Sequence, residues 1–150
     1  MDAAAIAHKQ EICAEILATV ASWIGPPARH AELIDQIGPL DTIIHFDGDA
    51  ALGFIALAAG VEDHVEIALI AVRRARHGEG IGRRLIHDAA AFARTHDYPA
   101  LAVSWLTDDP QGRAHRAPRH FFTRLGFRPP LTAACGPLLL RSVRRQWLSA

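Results

Sequence analysis

Between Val65 and Val72 the chain is apolar at every position except Glu66, and it then runs directly into Arg73-Arg74-Ala75-Arg76-His77-Gly78-Glu79-Gly80-Ile81-Gly82. An almost wholly apolar strand predicts a central place in a sheet with both faces covered. Beyond the glycines, Leu85, Ile86, Ala89, Ala90, Phe92 and Ala93 recur at helical spacing, which predicts a helix from Ile81 to His96 with one inner side. Asp97-Tyr98-Pro99 ends it, since the residue before a proline is pushed out of helical geometry. A buried strand, a glycine-rich turn and an amphipathic helix in direct succession require a sheet with helices packed on it, which is an α/β architecture.

The remaining segments agree with one mixed α/β domain over residues 1–150. A helix is expected from Lys9 to Ile24, with Ile12, Cys13, Ile16, Leu17, Val20, Trp23 and Ile24 on its buried stripe and Gly25-Pro26-Pro27 as the stop. A shorter helix should run from Ala28 to Ile37. Thr42–Phe46 and Ala51–Leu57 read as a hairpin around Asp47-Gly48-Asp49, because Asp-Gly between two β-rich runs is a strong turn signal. Ala100–Leu106 reads as a strand, Thr107–Ala114 as a polar loop and His115–Leu125 as a last helix. Gly126 falls where a left-handed cap belongs, and Leu138–Val143 reads as a final strand.

Half of the 150 residues are apolar, which excludes a disordered chain. The formal net charge is zero, so nothing at whole-chain level draws it to nucleic acid or to an anionic membrane. No stretch approaches the roughly 20 apolar residues of a membrane span. The first residues carry Asp2 and lack an unbroken apolar run, and the two cysteines, Cys13 and Cys135, read as reduced thiols. A soluble cytoplasmic protein is expected.

The chemistry concentrates in the glycine turn. Three glycines within five residues cost backbone entropy, so a reason is needed. Without Cβ atoms the chain can turn several N–H groups to one place, and the following helix adds its own unpaired amides and partial positive charge. Such a turn holds phosphate. Arg73, Arg74, Arg76, Arg83 and Arg84 surround it, with His77 beside them and Glu79 as the one nearby acid. The plainer alternative is a solvated basic turn. The segment is not a P-loop, because Arg83-Arg84 follows Gly82 where Lys-Ser/Thr is required. Nor is it the dinucleotide fingerprint, since the glycines lie at 78, 80 and 82 and no acid lies near residues 99–101.

His77-Gly78-Glu79-Gly80-Ile81-Gly82 resembles the Gln/Arg-x-x-Gly-x-Gly/Ala cofactor motif of the GNAT-type N-acetyltransferase superfamily. A second motif, an aromatic pair followed by Gly-Phe, stands at Phe121-Phe122-Thr123-Arg124-Leu125-Gly126-Phe127, and Leu52-Gly53-Phe54 also fits. The resemblance runs from about Ile12 to Val143. It implies a GNAT-like fold with a mostly antiparallel sheet flanked by helices. It also implies an enzyme that moves an acetyl group from acetyl-CoA to a primary amine of a small molecule or peptide, directly within a ternary complex.

On this reading the main chain from Gly78 to Gly82, with Arg73, Arg74 and Arg83 around it, would grip the CoA pyrophosphate. The pantetheine arm would run beside Ala71-Val72, and an amide near Val72 would polarise the thioester carbonyl. The amine would enter over the early helices and the Thr107–Ala114 loop. No metal, nucleic acid or membrane partner is implied, and a homodimer is compatible. Position 77 is His where Gln or Arg is usual. Phe122 stands where a tyrosine commonly protonates the departing thiolate, and a phenyl ring cannot donate a proton.

Glu66 corresponds to an acid that often takes the amine proton, commonly through water; otherwise it is a rim residue. His115 lies seven positions before Phe122 and would face roughly the same way, either lining the acceptor site or serving as an ordinary helix-start residue. Trp105, Phe121 and Phe122 are more economically read as core, and Cys135 as an incidental thiol. The nine histidines show no metal-ligand spacing. Two further readings remain: a CoA-binding regulatory domain without catalysis, which Phe122 favours, and a transferase acting on charged tRNA, which the absence of a basic stripe disfavours.

Overall fold

The computed structural model describes residues 2–20, 27–61, 64–103, 121–127 and 139–142. The first helix, α1 (Ala3–Thr19), begins six residues before the position its apolar spacing marks. Asp2 is its N-cap, with a side-chain oxygen 2.7 Å from the Ala5 amide, and the alanines after it need no periodic pattern to be helical. Its described end is Val20, whose N–H returns to the Leu17 carbonyl; Trp23 and Ile24 lie outside the described residues. The second helix, α2 (Pro27–Ile37), opens on a proline, where the missing N–H costs nothing.

Five strands follow: β1 (Asp41–Asp47), β2 (Ala50–Val61), β3 (His64–Val72), β4 (Ala100–Val103) and β5 (Leu139–Ser142). A single turn of 3₁₀ helix (Arg74–Arg76) and α3 (Ile81–Thr95) lie between β3 and β4. The strands are neighbours in chain order within one sheet. β1 and β2 pair antiparallel, as do β4 and β5, whereas β3 and β4 run parallel. This is the mixed α/β architecture that the sequence implies. The described part of the last helix is one turn at residues 121–124. The Thr107–Ala114 loop, Trp105, His115 and Cys135 lie outside the described residues.

The chain divides into two compact units, Met1–Leu57 with Leu69–Asp88, and Ala58–Ala68 with Ala89–Ala150. In the first, the β1–β2 register runs from Asp41 opposite Leu57 to Asp47 opposite Ala50, with a bulge at His45/Phe46. Gly48 takes the turn with φ 59°. The core joins Cys13, Ile16, Leu17 and Val20 of α1 to Leu33 and Ile37 of α2 and to Phe54, Ala56, Leu69 and Ala71 of the strands. Lys9 is buried as well, which its charge does not predict. Its ammonium donates to the carbonyls of Gly38 (3.0 Å) and Leu40 (2.8 Å) and so satisfies the chain just past the end of α2.

In the second unit, Val65, Ile67, Leu101, Ala102 and Val103 are buried. Two chain reversals there follow one pattern. Asp97 takes φ 63° after α3, with Tyr98 N–H bonded to Ala93 O and Asp97 N–H to Arg94 O. Gly126 takes φ 95°, with Phe127 N–H bonded to Phe122 O and Gly126 N–H to Thr123 O, the left-handed cap expected there.

Burial along β3 alternates. Val65, Ile67, Leu69 and Ala71 are buried, while Glu66, Ala68, Ile70 and Val72 are half-buried. The strand is central, but only one face is fully covered; the second is partly open along its length. That open face is what allows a carboxylate in an otherwise apolar strand.

Candidate cofactor-binding and active site

The turn after β3 is pinned at its base. The Arg73 N–H donates to Leu52 O at 2.7 Å, and its guanidinium donates to Ala51 O at 2.9 Å and to Glu15 at 3.2 Å. The Arg74 N–H donates to the Thr19 hydroxyl at 3.0 Å. The His77 ring meets the Val72 carbonyl at 2.7 Å, closing the chain between the strand end and the first glycine. The helix is seated by Gly53 of β2. A Cβ there would lie 2.9 Å from Ala71 O and 3.3 Å from side-chain carbons of both Ile81 and Leu85. A missing side chain is therefore what lets the start of α3 sit down on the strands.

The turn itself presents main-chain donors. Gly78 and Gly80 take φ 84° and 80°, and a Cβ built on either would meet nothing within 4 Å. Glycine is needed there for its conformation, and the space beside it is open. The first hydrogen bond of α3 runs from Arg84 N–H to Gly80 O at 3.1 Å. The six amides from Gly78 to Arg83 donate to no acceptor among the described residues. Free amides, open space and the positive end of a 15-residue helix suit an anionic group such as phosphate.

The arginines divide by role, which the sequence does not show. Arg73 is committed to Ala51 and Glu15. Arg76 donates from Nε to both carboxylate oxygens of Glu79, at 3.0 and 2.8 Å, and from Nη1 to Asp47 at 3.2 Å. The hydrogen bond to Glu79 first, and that to Asp47 second, raise the guanidinium pKa above its ordinary value. Of the five arginines that the sequence places around the turn, Arg73 and Arg76 are thus paired within the protein. Arg74, Arg83 and Arg84 are exposed and form no side-chain hydrogen bond or ion pair with described residues. The Arg76–Glu79 pair was legible as an i, i+3 spacing. Asp47 and Glu15 come from 29 and 58 residues away, and no local pattern marks them.

Beside this turn, α1 and the β1–β2 hairpin enclose an open groove of about 420 Å³, lined by Ile12, Glu15, Phe46, Asp49 and Arg73 among others. Phe46 is exposed to 51%. His45 of β1 is hydrogen-bonded to Asp88 of α3. Among the described residues no group of three His, Cys, Asp or Glu could hold a metal ion.

In the second unit, Glu66 is half-buried and lies opposite Ala102 in the parallel register. Phe122 is 1% exposed, edge-on to Phe121 (5.2 Å between centroids) and to Phe127 (5.1 Å). The aromatic pair and the following Gly-Phe are a packed cluster, as the core reading of these residues expects.

Fold and turn together define a mixed α/β protein with a strand–turn–helix able to seat an anion. The sequence profile of the acetyltransferase (GNAT) family matches residues 11–127, and the chain belongs to that family. Solved structures share the fold. A protein described as an acetyltransferase of the GNAT family, from Desulfovibrio desulfuricans, is 17% identical with a TM-score of 0.73, covering 91% of this chain and 94% of its own. An aminoglycoside 6′-N-acetyltransferase complexed with coenzyme A is 14% identical with a TM-score of 0.66, covering 90% and 91%. The PaiA N-acetyltransferase of Thermoplasma acidophilum, also in complex with coenzyme A, is 15% identical with a TM-score of 0.62, covering 91% and 92%. A search of curated proteins finds no relative by sequence.

Proposed function

We propose that this protein transfers an acetyl group from acetyl-CoA to a primary amine of a small molecule or peptide, by direct attack within a ternary complex. The observation that carries this reading is the run of amides from Gly78 to Arg83, leading into α3, that have no acceptor among the described residues, in a chain of the GNAT family. CoA supplies the thioester. This chain would supply the main-chain amides of Gly78, Glu79, Gly80, Ile81 and Gly82 for the pyrophosphate, with Arg74 and Arg83 adding exposed positive charge. Ala71 and Val72 would flank the pantetheine arm, and an amide near Val72 would polarise the acyl carbonyl. His77 would hold the turn through the Val72 carbonyl, and Arg73 would anchor its base.

Glu66 is the proposed base. It would take the amine's proton, through water where the amine does not reach it directly. His115 remains the alternative proton carrier. Phe122 would border the cofactor without a polar atom, so the departing thiolate would leave unprotonated or take its proton from water. Thiolate is a fair leaving group, since a free thiol titrates at about 8.5. The same phenyl ring favours a second reading, a CoA-binding domain with little or no catalysis. We place the chain in the cytoplasm as one functional domain; no described helix is long and apolar enough to cross a membrane.

The test is thermal unfolding with and without acetyl-CoA. A ligand bound by the native state alone should raise the melting temperature, by an amount that grows with its concentration. Gly80→Asp, which puts a side chain and a negative charge at a residue with φ 80°, should abolish the shift. No shift in the wild-type protein at millimolar acetyl-CoA would sink the reading. Release of CoA with a panel of amines then separates transferase from binding domain.

A further inference from the structure

We propose that Arg76 is a guard for the anion site: it holds the Glu79 carboxylate away from the bound phosphates and is not itself a phosphate ligand. The inference rests on the CoA reading above and assigns a role within it.

Glu79 stands between Gly78 and Gly80, second in the run of six amides that have no acceptor among the described residues. An acid there is at odds with a turn built for anions, because two like charges only a few ångströms apart repel, and at an exposed turn that repulsion weakens with salt. The structure removes the conflict locally. Arg76 Nε takes both oxygens of Glu79, and Nη1 is fixed from the other direction by Asp47 at the end of β1. With Nε on Glu79 and Nη1 on Asp47, the guanidinium is held in one orientation by two acids, which offset its positive charge. The cations left to meet a ligand are Arg74, Arg83 and Arg84, whose side chains have no partners among the described residues.

Stability does not explain the arrangement. The Glu79 and Asp47 side chains are 46% and 65% exposed, and ion pairs at such positions contribute little to folding. What the pairing changes is the charge seen by a ligand over the turn. Arg76 is thus a positioning residue acting through Glu79.

The experiment is a double-substitution cycle read by calorimetric titration of CoA and of inorganic pyrophosphate, with a melting curve for each protein. Arg76→Gln should weaken CoA about tenfold by freeing the carboxylate, and the loss should shrink in ~1 M salt, where screening acts over about 3 Å. Glu79→Gln should bind at least as tightly as the wild type. The double variant should return to within about threefold of the wild type, because once the acid is gone its guard has no task. Melting temperatures should stay within a few degrees throughout. A double variant as weak as Arg76→Gln would make Arg76 a direct ligand and overturn the proposal. A large fall in melting temperature for Arg76→Gln would make it a structural residue and overturn it equally. If the wild-type protein binds no CoA, the functional reading itself fails; if it binds CoA and the cycle shows no rescue, only the guard is refuted.

Discussion

Whether a charged residue in this chain does chemistry or holds structure depends on its partners. Arg73, Arg74, Arg76, Arg83 and Arg84 are equivalent in the sequence, but two are bound by acids, and the side chains of the other three are exposed with no partner among the described residues. Sequence reading gave the residue types and the glycines, because φ near +80° is a local demand that only glycine meets cheaply. It could not give the pairing, because Glu15 and Asp47 arrive through the fold. Glu66 poses the same question for catalysis. As the general base, its replacement by Gln should lower turnover by about 10²–10⁴ with acetyl-CoA affinity unchanged. Steady-state kinetics on an identified acceptor, beside a calorimetric Kd, check this; full turnover in Glu66→Gln would leave it a polar residue on the open face of β3.

Among the elements, α3 and its approach to the strands matter most. The helix was legible in outline because Leu85, Ile86, Ala89, Ala90 and Ala93 are all buried at the spacing the sequence shows. Phe92 departs from that inner side: it is half-buried and stacks on His96 at 4.2 Å. The start of α1 was not legible, because alanines carry no apolar rhythm. What the sequence left unexplained is how closely α3 can lie, and Gly53 decides it. Gly53→Ala puts a methyl 2.9 Å from a backbone oxygen and 3.3 Å from Ile81 and Leu85. It should cost about 1–3 kcal/mol of stability as the helix start is displaced. The same shift should weaken CoA binding severalfold through the misplaced amides. Urea unfolding and titration on one preparation check both, and unchanged values in each would mean that the contact relaxes freely.

At the scale of the whole molecule, burial of one thiol, Cys13, makes stability respond to pH. Burial pushes the Cys13 thiol up from an ordinary 9.0 to about 12, with nearby Lys9 acting in the opposite direction. The folded state therefore keeps a proton that the unfolded chain loses above pH 9. Its contribution is complete below that pH and falls as pH rises towards 12, by up to about 1.4 kcal/mol per unit. Cys13→Ala should be less stable at pH 8 but flatter between pH 9 and 11 by urea unfolding; parallel curves would show that the thiol does not titrate with folding.

The order of elements, the hairpin, the glycine turn and the family resemblance were determined by sequence alone, because each rests on local periodicity or local backbone demand. The buried ammonium of Lys9, the pairing of Arg76, the seat at Gly53 and the half-open face of β3 were decided only in three dimensions. Each depends on atoms from segments far apart in the chain, whose proximity no local pattern encodes.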